Sequence, residues 1–265
     1  MKAIDRLLPG HKAMWLSFFA SILLAWSVLF AMQAAVDPAL SWQGSAAEFL
    51  LSLCSQSAAD AGLNSAVVMW SLMALAMMAP TAFPALRTYS DLTHTDAAGT
   101  WSFAALAGGY LTVWLGFSVL AALVQVRLAS AGLLNPFGQV TSVLFNGGLL
   151  ILAGVYQFSP LKEACLKACQ SPLTFFMGHW RPGVSGALWL GLRLGAVCLG
   201  CCWALMLLAF VAGTMNLAFM GLAMVLMTLE KLPQIGSRVS VPLGVFLILA
   251  GLTVVLLPLV TTQSV

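Results

Sequence analysis

The sequence predicts an all-α fold: a polytopic transmembrane helix bundle of about seven spans, with the N-terminus inside and the C-terminus outside. Three observations predict it. Apolar residues make up 61% of the 265-residue chain and charged residues only 7%. A soluble domain carries about 25% charged residues, so this chain lacks the charges to build a water-facing surface. Apolar runs of near-spanning length recur along it, and its basic residues gather in alternate connectors between those runs.

The spans follow in order. Residues 1–13 are a short polar start with Lys2, Arg6 and Lys12, and the first span is expected over 14–33. The run has no small-x-small site leading into a polar sequence, so no cleavable signal peptide is expected. Residues 34–63 form a loop holding Asp37, Glu48, Asp60 and a solitary Cys54. The second span covers 64–86, with Pro80 and Pro84 near its end. A connector with Arg87, Asp91, His94 and Asp96 leads to the third span, 101–126, which Arg127 and a turn at Asn135-Pro136 close. The fourth is expected over 140–158 and the fifth over 186–212, separated by a polar connector, 159–183. A sixth, short span ends near Glu230, and a seventh covers 241–259. Each apart from the sixth approaches the roughly 20 residues that cross a bilayer. One integral membrane domain accounts for residues 1–265.

Orientation comes from the Lys and Arg residues. Lys2, Arg6, Lys12, Arg87, Lys162, Lys167, Arg181, Lys231 and Arg238 fall on one side, Arg127 alone on the other, and Arg193 inside a span. Nine against one places the N-terminus in the cytoplasm by the positive-inside rule. The basic residues form no stripe, so nucleic acid is excluded as a partner.

Cys198-Leu-Gly-Cys201-Cys202-Trp203 lies deep in the fifth span. Spacings of three and four put Cys201 and Cys202 on the same helical side as Cys198. At 1.5 Å per residue they stand roughly 18–24 Å from the cytoplasmic end of that span. A single buried Cys is a small hydrophobe, but three thiols within five residues make a soft-donor set that suits Cu(I) or another thiophilic ion. Cys165 and Cys169, between Pro160 and Pro172, are four apart and share one face of a short interfacial helix at the cytoplasmic surface. Thiols there stay reduced, and His179 follows as an additional nitrogen donor. Met69, Met73 and Met77 form a stripe on the second span with Met78 beside it, and Met206 and Met215 lie on and just after the fifth. Thioethers offer weaker steps for a soft ion, though Met also fills gaps in apolar cores. Arg193, Glu230 and Lys231 are charges at or near membrane depth and need a cavity or a partner. Arg193 is expected to pair with Glu230, or to snorkel. An echo of Trp70-Ser-Leu-Met73 in Trp203-Ala-Leu-Met206 suggests an inverted repeat, a common transporter plan.

Together these motifs resemble a known family. They are Tyr156-Gln-x-x-Pro160-Leu-Lys162-x-x-Cys165-Leu-x-x-Cys169-x-x-Pro172, Gly195-x-x-Cys198-x-Gly200-Cys201-Cys202-Trp203-x-Leu-Met206, Met215-Asn216, Glu230-Lys231, and Met77-Met78-Ala-Pro80. The chain resembles an uncharacterised bacterial family of predicted metal-binding integral membrane proteins, a domain of unknown function, over a core of 64–232. The resemblance implies a multi-pass protein of the bacterial inner membrane with a metal site, and no established reaction. The expected ligands are Cys198, Cys201, Cys202, Cys165, Cys169, Met73, Met77, Met206 and Met215. The expected activity is transport or delivery of a soft metal, Cu(I) foremost, with no enzymatic step and with a metallochaperone or membrane-complex partner. The alternatives are an intramembrane dithiol oxidoreductase using Cys198 and Cys201, and an accessory subunit of a membrane complex.

Overall fold

A computed structural model describes residues 9–36, 62–93, 100–214 and 216–262. Those residues form an all-helical bundle. The helices are α1 (Pro9–Val36), α2 (Leu63–Thr93), α3 (Thr100–Ser130), α4 (Val143–Tyr156), α5 (Pro160–Gln170), α6 (Pro172–His179), α7 (Gly183–Leu207), α8 (Ala209–Ala212), α9 (Leu217–Glu230) and α10 (Gly236–Thr262). Most of the loop that holds Cys54, the connector with His94 and Asp96, and Met215 lie outside the described residues.

Among the described residues, five segments are long and apolar enough to cross a membrane: Met14–Gln33, Leu63–Leu92, Trp101–Ser130, Gly183–Ala212 and Arg238–Leu257. The fourth and sixth expected spans fall short by themselves. Helix α4 reaches crossing length only together with α5, across a bend of 61°. Helix α9 has 14 residues, about 21 Å of rise against a hydrocarbon layer of about 30 Å. Leu16, Leu23, Leu144 and Phe246 stand exposed, as helices apolar on every side require of a lipid-like surrounding.

Helices approach closely where glycine removes the side chain. A Cβ on Gly191 would strike the Leu106 carbonyl, and one on Gly195 would lie 3.0 Å from the Tyr110 carbonyl. These pairings make α7 parallel to α3. On the other side of the bundle, a Cβ on Gly154 would lie 2.8 Å from the Gly244 oxygen and one on Gly251 2.8 Å from the Gly147 oxygen, which makes α4 and α10 antiparallel. Small residues at such crossings let backbones touch. Helix α2 lies antiparallel to α7, with Met78 facing Cys202 and the Trp70 ring 5.3 Å from Phe210. Pro80 cannot donate to the Ala76 carbonyl four residues back, and the Trp26 indole donates to that oxygen instead, at 3.1 Å.

Residues 159–183, a connector by composition, fold into α5 and α6. Pro160 and Pro172 open the two helices, where a missing N–H costs nothing, and Ser159 caps α5 by accepting from Leu161 N–H. Glu163 and Lys167 pair on the exposed face of α5 at 2.6 Å. Its other face carries Lys162, which is buried and donates to both carboxylate oxygens of Glu230 at 2.9 Å. Lys162 also donates to Gln157 Oε1, and Ser240 Oγ donates to Glu230 at 2.9 Å. Gln170, at the far end of α5, donates to the Glu230 carbonyl at 2.8 Å. The expected pairing of Glu230 with Arg193 is therefore corrected: Glu230 belongs to Lys162. Arg193 is exposed and lies over the Trp189 ring, 5.7 Å from its centroid. It sits on the outer face of α7 and its charge is partnered by an aromatic surface.

Removing one partner of a buried ion pair strands the other. Lys162→Met is expected to cost about 3–5 kcal/mol of stability, and Lys162→Met with Glu230→Leu distinctly less. Denaturant unfolding in detergent measures both, and equal losses for the single and double variants would contradict the pairing.

Candidate metal centre

The centre is built on α7. Cys198, Cys201 and Cys202 are buried, and their sulfurs all lie within 4.8 Å of one another. The helix sets this arrangement: Cys201 and Cys202, one turn on, both turn back toward the Cys198 carbonyl, Cys201 donating to it at 3.0 Å and Cys202 Sγ lying 2.8 Å from it.

Other elements bring further groups to the three thiols. Helix α5 places Cys169 Sγ 4.0 Å from Cys201 Sγ. Cys165 rests on Gly200, where a Cβ would come within 2.6 Å of its sulfur. Glycine at 200 is what leaves room for that thiol. Tyr156, at the end of α4, donates its hydroxyl to the Gly200 carbonyl and packs edge-on to Trp203, with ring centroids 5.0 Å apart. Helix α2 supplies Met78, whose thioether accepts from Cys202 at 3.7 Å. Thus Cys169 and Met78 approach the α7 triad from two different helices.

Cys198 has polar company as well. Lys231 Nζ donates to its sulfur at 3.0 Å and to Thr81 Oγ1 at 2.7 Å. Thr81 passes its own proton to the Met78 carbonyl at 2.9 Å, and the Tyr110 hydroxyl lies 3.2 Å from the Cys198 sulfur and 3.0 Å from that same carbonyl. Burial pushes the Lys231 ammonium down, but the negative charge available on Cys198, Cys201, Cys202 and Tyr110 more than offsets this and holds it above the ordinary lysine range. Lys231 thus sets its ammonium group against the thiols. A cavity of about 170 Å³ reaches this edge of the centre, lined among others by Cys169, Cys198, Lys231, Pro172 and Pro233. Its walls come from α2, α3 and α7, with the end of α5, the start of α6 and the α9–α10 turn.

The structure brings together most of the thiols expected as ligands and differs in detail. Cys165 and Cys169 do not form a separate surface pair, because the Lys162 anchor turns their face of α5 inward against α7. His179 is exposed, bonds to the Phe175 carbonyl of its own helix at 2.9 Å and stacks on the Phe175 ring. Asn216 caps α9 by accepting from Phe219 N–H at 3.0 Å. Met73, Met77 and Met206 are buried in the core, yet the thioether that takes a thiol hydrogen bond is that of Met78. Tyr110 and Thr81 are the groups that residue-type reasoning passed over, while Lys231 was read only as a charge near the membrane and Met78 only as a neighbour of the methionine stripe. Lys231 and Met78 stood inside the motifs Glu230-Lys231 and Met77-Met78-Ala-Pro80, whereas nothing local marked Tyr110 or Thr81.

A comparison with protein families adds one finding. Residues 67–254 match the family model described as PpoB2, copper chaperone. The chain belongs to the copper chaperone family. The match covers both thiol motifs, Met78, Tyr110 and Lys231, and it bears out the metal-related character of the resemblance noted from sequence. No curated protein and no solved structure matches the chain. A buried sulfur cluster with a thioether at its edge has the donor softness that suits copper.

The approach of α5 to α7 is open to a direct check. In a variant retaining only Cys169 and Cys201, a short bifunctional thiol reagent is expected to bridge the two, as peptide mapping by mass spectrometry would detect. Two separate single-ended adducts, with no bridge, would show that α5 does not lie against α7.

Proposed function

We propose that this protein binds Cu(I) inside a membrane-embedded helix bundle and moves or delivers it, without an enzymatic step of its own. The observation that carries the proposal is the burial of Cys198, Cys201 and Cys202 within 4.8 Å of one another, in contact with Cys169 and Met78. Thiolates and thioethers select soft ions, and burial leaves a bound ion few competing ligands. Membership of the copper chaperone family supports copper as that ion.

The positive-inside count sets the direction in which the centre faces. With the N-terminus in the cytoplasm of a bacterial inner membrane, α5, α6 and the turn at Lys231 lie on the cytoplasmic side. The cavity between them then leads from the cytoplasm to Cys198 and Cys169. Cys165 and Cys169 exchange copper with a cytoplasmic donor or acceptor, a metallochaperone being the natural partner, and the α7 triad holds the ion. The buried methionines Met73, Met77 and Met206 offer weaker donors farther along the bundle. No nucleotide-binding loop is present in the sequence, so movement is passive, ion-coupled or driven by the partner.

The thiols carry the test. Replacing Cys198, Cys201 and Cys202 with Ser is expected to abolish copper binding by protein purified in detergent under reducing conditions. Lys231→Met, which removes an outer-shell partner, is expected to weaken it by about 10–100-fold. Competition against a chromophoric Cu(I) chelator reads both, and stoichiometric copper retained by the triple variant would rule the proposal out.

A further inference from the structure

The sulfur atoms around α7 outnumber what one Cu(I) ion uses. Cu(I) takes two or three sulfur donors, and six sulfur-bearing residues gather here: Cys165, Cys169, Cys198, Cys201, Cys202 and Met78. Their arrangement is not a single shell. Cys202 and Met78 meet at 3.7 Å on the side facing α2. Cys169 meets Cys201 at 4.0 Å on the side facing α5, and Cys165 lies on the same side against Gly200. The triad joins the two groups, since the sulfurs of Cys198, Cys201 and Cys202 all lie within 4.8 Å of one another.

Resting on the Cu(I) reading above, we infer that the centre is one continuous cluster for two Cu(I) ions. The first lies between Cys198, Cys202 and Met78. The second lies between Cys165, Cys169 and Cys201, and the α7 thiols that face both groups bridge the two ions. A thiolate has several lone pairs, so one sulfur can bind two Cu(I) ions, which lets neighbouring ions share donors that are too few to serve each separately.

Two features of the fold serve this arrangement. Helix α5 is fixed at both ends to one residue: Lys162 binds the Glu230 carboxylate and Gln170 the Glu230 carbonyl. That double attachment sets the register that brings Cys169 to Cys201. The next residue, Lys231, donates to Cys198 at 3.0 Å. A cluster of several thiolates in apolar surroundings carries surplus negative charge that is costly to bury, and the Lys231 ammonium and a second cation both reduce it. Glu230-Lys231 therefore orients the arm that bears the second sulfur pair and partly compensates the charge of the cluster they complete.

The test is an anaerobic titration of the detergent-purified full chain with Cu(I) against a chromophoric chelator. The full chain is expected to hold two ions, Cys165→Ser/Cys169→Ser one, and Cys198→Ser/Cys201→Ser/Cys202→Ser none. X-ray absorption of the fully loaded chain is expected to show a copper–copper scattering vector within an all-sulfur shell. One ion in the full chain, retained by Cys165→Ser/Cys169→Ser, overturns the two-ion cluster and leaves the Cu(I) proposal standing. No ion in the full chain overturns both. Two ions without a copper–copper vector overturn the shared-sulfur arrangement.

Discussion

Lys162 and Glu230 meet at 2.9 Å with both side chains buried, and the geometry of the sulfur centre depends on that contact. Two opposite charges in apolar surroundings, with only the neutral groups of Gln157 and Ser240 beside them, are costly to bury and costlier to separate. Its value here is positional. It draws α5 against the ends of α4 and α9, and it turns inward the face on which Cys165 and Cys169 stand. Without it, a helix with an exposed Glu163–Lys167 pair on its other face would be free to lie along a membrane surface.

The rest of the centre fits around that constraint. Gly200 leaves room for the Cys165 thiol. Tyr156 holds the Gly200 carbonyl from the end of α4, and Gly191 and Gly195 let α7 lie against α3, where Tyr110 reaches Cys198. Helix α2 arrives antiparallel with Met78 and Thr81. Lys231 then joins three elements, since it touches Thr81 and Cys198 from the position next to Glu230. Five helical elements thus converge on a centre whose outer surface is apolar and whose inner surface is rich in sulfur.

Much of this was legible in the sequence. The scarcity of charge and the apolar runs gave the helical class, and the i, i+3, i+4 spacing of Cys198, Cys201 and Cys202 placed three sulfurs together, because both follow from local chemistry and helix geometry. The shortness of the sixth span was already visible, but the shortfall of α4 was harder to see, since hydropathy does not register a 61° bend. The partner of Glu230 was misassigned because Arg193 looked as deep as Glu230 by position along its helix, and linear depth says nothing about which face a side chain occupies. The union of Cys169 with Cys201, 32 residues apart, and the place of Tyr110, 88 residues from Cys198, are tertiary facts. The motif residues Lys162, Gly200 and Glu230-Lys231 carried the only trace of them.

The central claim is that these thiols exist to hold copper. Metal content per chain, measured on protein purified under reducing conditions alongside titration of its free thiols, tests it most directly. The account predicts bound copper with the α7 thiols protected from labelling until the metal is removed. Metal-free protein carrying a Cys198–Cys201 disulfide would contradict it and point to thiol redox chemistry instead.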